Sequence, residues 1–226
     1  MRAARVSTCR GGALSRLRRA AMIAFCLHLL AGLSMAFILR RGLETNPDLQ
    51  DRLAFLATHR VLWTFGWLTW TAAALAILYF YMVFSEVHTP SMRFALALTV
   101  AAVACDLAAQ AIEIGVRPSV GNVSMFLMFH RVAVMLSGYV ANGLYSASAL
   151  ILAWSARRAY PVWVSFAGLA AGMFGLALSV AALLDSASGM FWTNVLLVPA
   201  LLVWLGGVAA SPLPPGRGPS STCDEG

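Results

Sequence analysis

The residues that could do chemistry sit where ionisable groups are costly. The chain carries Asp106, Gln110 and Glu113 in an otherwise apolar stretch, ALALTVAAVACDLAAQAIEIG. Their spacing, i, i+4 and i+7, puts all three on one face of a helix. The next apolar stretch carries Arg131, Gly138, Asn142 and Tyr145 on one approximate face, with His130 beside it. His59 and Arg60 stand at the mouth of an earlier stretch. Charged and polar groups within a membrane span face a bundle interior or a cavity, because lipid gives them no partner.

Several chemistries fit these residue types. Arg60 and Arg131 suit an anionic group such as a carboxylate or a phospholipid headgroup. Asp106, Glu113 and a histidine could relay protons, since histidine titrates near neutrality. His59 and His130 with a carboxylate could hold a divalent metal. The same two histidines are also the pair to consider for haem, whose axial ligands must face each other at one depth; His28 lies too deep to partner His130. A purely structural use is simpler. Asp106 or Glu113 would pair with Arg131, and the pair would lock two helices together. There is no HExxH, HxxxH or GxSxG pattern, so familiar hydrolase signatures are missing. The cofactor and the reaction, if any, stay open.

Six apolar segments are long enough to carry these groups across a bilayer, which takes about 20 residues each. They are Ala20–Leu39, Val61–Phe84, Phe94–Ile114, Met125–Trp154, Val162–Leu184 and Met190–Val208. At about 1.5 Å per residue, Asp106 lies roughly 12 Å below the end of its helix, and His130 and Arg131 roughly 8–9 Å. The polar residues therefore gather in one half of the membrane. The longest connection, from Arg40 to Arg60, lies above them and offers Glu44, Thr45, Asn46, Asp48 and Asp51.

Two smaller patterns add detail. Trp63, Trp67 and Trp70 recur at i, i+4 and i+7, which reads as an aromatic belt at headgroup level. Gly168, Gly172 and Gly175 form a small-residue stripe that lets helix backbones approach closely, most simply within the bundle.

The sequence also repeats. Phe55-Leu56-x-x-His59-Arg60-Val61 recurs as Phe126-Leu127-x-x-His130-Arg131-Val132, and the same shift maps Pro47 onto Pro118. The first and second segments fall on the third and fourth. The expected fold is an all-α membrane protein, a six-transmembrane-helix bundle built from duplicated helical hairpins.

Composition points the same way. Of 226 residues, 60% are hydrophobic and 11% charged, against about 25% charged in soluble domains. Mean hydropathy is +0.78, too high to coat a globule in water. All 16 basic residues are arginine, a bias that suggests a GC-rich bacterial genome. The net charge of +7 does not mark a nucleic-acid binder, because six arginines crowd before the first apolar segment. That is the flank of a membrane segment. Cys9, Cys26, Cys105 and Cys223 form neither a CxxC nor a loop pair, so no disulfide framework is expected.

The organisation follows as a basic N-terminal tail (1–19), a transmembrane domain (20–209) and a disordered C-terminal tail (210–226). The arginine bias expects both termini in the cytoplasm and a multi-pass protein of the plasma, or inner, membrane. The lipid bilayer is the expected partner, with no nucleic acid. Asp106, Gln110, Glu113, His130, Arg131, Arg60 and Asn142 are the expected ligand-binding residues. The function they suggest is a carrier or binding protein with an outward-facing polar pocket for a small or lipid-like ligand. Two alternatives stand beside it: a structural or accessory subunit whose polar residues only pair with each other, and a membrane-embedded metal-dependent enzyme using His59 and His130.

Overall fold

A computed structural model describes residues 2–88, 92–119 and 121–212, with side chains from Gly12 onward. The disordered tail expected over 210–226 falls almost wholly outside the described residues. So do the side chains of Cys9 and Cys223.

The described chain is helical, with no strand among the described residues. Helix α1 spans Arg2–Phe37, so the basic segment expected as a tail is continuous with the first span. A short 3₁₀ turn, Leu39–Arg41, leads to α2, Leu49–Thr58. Then come α3 (Arg60–His88), α4 (Arg93–Ala111), α5 (Val123–Ala133), α6 (Asn142–Ser155), α7 (Val162–Leu183) and α8 (Ala187–Ala210).

Six stretches are long and apolar enough to cross a membrane: Gly12–Arg41, Arg60–His88, Arg93–Ser119, Val123–Ser155, Val162–Leu183 and Ala187–Ala210. They coincide with the six apolar segments of the sequence. Their outward faces carry exposed Val61, Phe65, Phe166, Met173 and Trp192, the surface that lipid rather than water can cover.

Each span packs against its neighbours in sequence, and α8 returns to α1. The six spans therefore close a ring. Arg18 donates to the Ser211 carbonyl at 3.3 Å, so the C-terminal end of α8 meets the N-terminal half of α1 on one face. This is the termini face; the opposite one, bearing residues 40–59, 116–119 and 121–122, is the loop face.

Small residues set the tightest contacts. A Cβ on Gly168 would stand 2.8 Å from Ala153 and Trp204, and one on Gly172 would stand 2.5 Å from Leu150. The glycine stripe thus seats α7 against α6 and α8. Near the termini face, Phe80, Phe84, Tyr160 and Trp204 form the floor of the ring. His88 meets the Tyr160 hydroxyl there at 2.8 Å.

Two spans depart from regular α-helix. Between Ile112 and Val116, and again between Val134 and Ala141, the backbone widens into π-helix. Such insertions shift side chains around the helix and frequently mark functional sites.

The long connection is folded. Asp48 caps α2 by accepting from the Gln50 and Asp51 amides, at 2.9 and 3.1 Å. In the sequence repeat, Phe55 and Phe126 enter the same apolar cluster. The two copies otherwise differ: α2 ends at His59 before α3 begins, whereas the chain runs unbroken from Val123 to Ser155.

Candidate functional site: a cavity inside the helix ring

The ring encloses a cavity of about 640 Å³, lined by residues from all six spans. That volume lies in the ordinary range of small-molecule sites, about 300–1,000 Å³. The cavity has two chemically different ends.

Its roof, at the loop face, is a cluster of buried charge. Arg117 is fully buried and Glu113 nearly so. They sit four residues apart and form an ion pair. Arg117 also donates to the Gly42 carbonyl at 2.7 Å and lies over the rings of Phe126 and Trp63, at 4.4 and 5.4 Å. Trp63 donates from its indole to the Glu113 carbonyl at 2.7 Å. His130 stands between two carboxylates: its Nδ1 lies 3.2 Å from Glu113, and its Nε2 contacts Glu44. Arg52 reaches the Gly42 carbonyl at 3.4 Å. Burial alone would push the Glu44 carboxyl up. The hydrogen bond and charge of His130, with Arg52 beyond, outweigh it and hold the group at about 2.

Below the roof is a ladder of uncharged polar groups around one carboxylate. Asp106 is buried and accepts from the Ser137 hydroxyl at 2.6 Å. The Gln110 side chain and the Tyr145 hydroxyl lie beside it. Gln110 in turn accepts from Thr71 at 2.5 Å. Asn142 turns its amide to the Ser137 carbonyl, at 2.9 Å, within the widened segment of the fourth span. Asp106 makes no ion pair among the described residues. Deeper still, the lining becomes apolar, with Ala74, Ile77, Ala149 and Leu201. His28 lines this end and bonds the Ala24 carbonyl one turn back, at 2.9 Å.

Of the residues expected from sequence, Asp106, Gln110, Glu113, His130 and Asn142 line the cavity. Arg131 and Arg60 do not. Arg131 pairs with Asp185 at 2.6 Å and caps the Ala182 and Leu183 carbonyls at the end of α7. It therefore does not pair with Asp106 or Glu113, as the simplest structural reading expected. The widened backbone that follows Ala133 accompanies this arrangement. Arg60 is exposed and lies with His59 in a shallow depression on the surface of the bundle.

His59 and His130 are likewise not brought together. His59 stacks on Phe55 and contacts Thr58 at 2.7 Å, because α2 ends there and turns the ring outward. The metal and haem readings needed these two histidines to converge. No group of three His, Cys, Asp or Glu among the described residues is arranged to hold a metal ion.

The tryptophans also differ from expectation. Trp63 and Trp67 are buried inside the ring instead of forming a headgroup belt, and Trp67 and Trp70 line the cavity. The lipid-facing side of α3 carries Val61, Leu62, Phe65 and Leu68 instead.

Sequence reasoning missed the roles of Glu44, Arg52 and Arg117. For Arg117 a signal existed: it stands four residues after Glu113, the spacing at which oppositely charged side chains meet on a helix. For Glu44 the signal was only its place in the long connection above the polar residues, and for Arg52 there was none, since their partners are remote in sequence.

The chain matches no protein-family model, no curated protein and no solved structure.

Proposed function

We propose that this protein is a membrane carrier or binding protein for a small, lipid-like ligand. The observation that carries the reading is the cavity inside the ring, polar toward the loop face and apolar toward the floor. An amphipathic molecule has the same division. Its polar end would meet Asp106, Gln110 and His130, and its tail would lie among the alanines and leucines below.

A side entrance supports the same reading. Leu33 and Ala36 of α1, and Phe191 and Val195 of α8, line the cavity and are also exposed on the bundle surface. The seam between the first and last spans thus offers a route from the bilayer. The seam is tight at Gly32, where a Cβ would stand 3.2 Å from Val198.

By the arginine bias, the loop face is outward and both termini are cytoplasmic, in the plasma membrane of a bacterium. The duplicated-hairpin origin is part of the proposal too. It is supported by the repeat and by the shared cluster of Phe55 and Phe126.

One observation favours the accessory-subunit alternative. The Glu113–Arg117 pair and its contacts to Gly42 are spent on holding the roof together.

Native mass spectrometry of protein released from mild detergent separates the two. Wild type should carry an adduct with the mass of an amphiphile. Ala109→Phe and Ala133→Phe, which add bulk at buried lining positions, should lose it while melting cooperatively. A bare wild-type mass would overturn the carrier reading in favour of the subunit.

A further inference from the structure

We infer that the ligand's polar end is a cation, an organic ammonium that takes Asp106 as its counter-ion among the aromatic side chains of the cavity. This rests on the amphiphile-binding reading and names the chemical class of the ligand.

Charged groups line and roof the cavity; of these, Arg40 stands at the loop-face end and is exposed. Glu113 is matched by Arg117. Glu44 is matched by His130, with Arg52 close by. Asp106 alone has no basic partner among the described residues; its neighbours are a hydroxyl, a primary amide and a phenol. Neutral neighbours leave the carboxyl with no opposite charge in a lipid-surrounded interior, where it takes either a proton or a cation. Arg131, the partner that the sequence pattern offered Asp106, is spent on Asp185. A cation supplied by the ligand would complete the site.

The surroundings select the kind of cation. Trp67, Trp70, Tyr81 and Tyr145 all line the same cavity. Aromatic faces favour a large, weakly hydrated organic cation, whose charge they attract without having to replace a tight water shell. A cavity of about 640 Å³ is far larger than a bare metal ion, and its apolar floor suits a hydrocarbon tail. The Trp67 and Trp70 indole N–H groups have no well-directed partner. Buried donors of this kind are normally satisfied, so an acceptor oxygen next to the ammonium group would meet them.

The test uses the full chain in lipid nanodiscs, with heats of binding measured against empty nanodiscs. Three probes share one chain length: octyltrimethylammonium, octanol and octanoate. The ammonium probe should bind at least tenfold more tightly than the other two. Asp106→Asn keeps the shape and removes the charge, so it should abolish that preference. A cooperative melt like that of wild type shows that the variant is folded. Equal binding of all three probes, a preference for octanoate, or an Asp106→Asn variant that still prefers the ammonium would overturn the cation assignment and leave the amphiphile reading standing. No binding of any probe to wild type would overturn the amphiphile reading itself.

Discussion

The Arg117 guanidinium is cut off from water, so its donors have to be met by protein. Glu113 takes one edge, the Gly42 carbonyl another, and the faces of Phe126 and Trp63 cover the plane. Its Nε alone has no partner. A buried ion pair adds little over a well-packed apolar pair, yet removing one member leaves an uncompensated charge. Arg117→Met should therefore lower stability by about 3–5 kcal/mol. The double variant Glu113→Leu/Arg117→Met should recover much of that loss. Unfolding curves for the two singles and the double would decide it; a double variant as unstable as the sum of its parts would show that the pair is not the cause. Asp106 differs, since it is buried, hydrogen-bonded and without a cation among the described residues.

At the scale of elements, the segment from Gly42 to His59 is a roof held by few attachments. Asp48 caps α2, Gly42 accepts from Arg117, and Glu44 reaches His130. Gly42 is tightly enclosed: a Cβ there would stand 2.5 Å from Leu56 and 2.6 Å from Trp63. The Glu44 attachment is pH-dependent, and its sign follows from the depressed carboxyl. The group sits at about 2 in the folded protein, against an ordinary 4.5. A carboxylate with a lowered folded value contributes stability that is complete above the ordinary value and lost as pH falls through the folded one. The roof should thus loosen between pH 4.5 and about 2. Hydrogen exchange over residues 43–58 should quicken across that window, while the deep spans stay protected. Glu44→Gln should exchange fast at every pH and lose the dependence. An identical profile in wild type and variant would remove Glu44 from this role.

For the whole molecule, the decisive feature is ring closure. The sixth span returns to the first, and the space inside belongs to no single helix pair. Six crossings would place Arg16 and Thr45, which flank the first apolar segment, on opposite sides of the membrane. Single cysteines at Arg16 and Thr45, in a background with the native cysteines replaced, should label from opposite sides of sealed vesicles. By the arginine bias, Thr45 should react from outside. Labelling of both from one side would contradict six crossings.

Much of this was legible in the sequence, and the reason is the solvent. A bilayer demands about 20 apolar residues per helix and internal pairing of every backbone group. Hydrophobicity along the chain therefore locates each span. The Asp106, Gln110 and Glu113 stripe was readable for the same reason, since lipid drives such groups inward. What lies inward depends on contacts that have no linear signature. Glu44 finds His130 across 86 positions, and Arg117 finds Gly42 across 75. The Trp63 stripe could face headgroups or a core at the same helical spacing, and packing of α3 against α1 and α4 decided for the core. Widened turns in the third and fourth spans altered the register that regular α-helix would give, and Arg131 left the site for Asp185. Hydropathy along the chain marks the segments long and apolar enough to cross a membrane, and with them the polar groups that must hide. Which of those groups meet is set by tertiary packing, because a charge in lipid takes whatever partner the closed ring brings within reach.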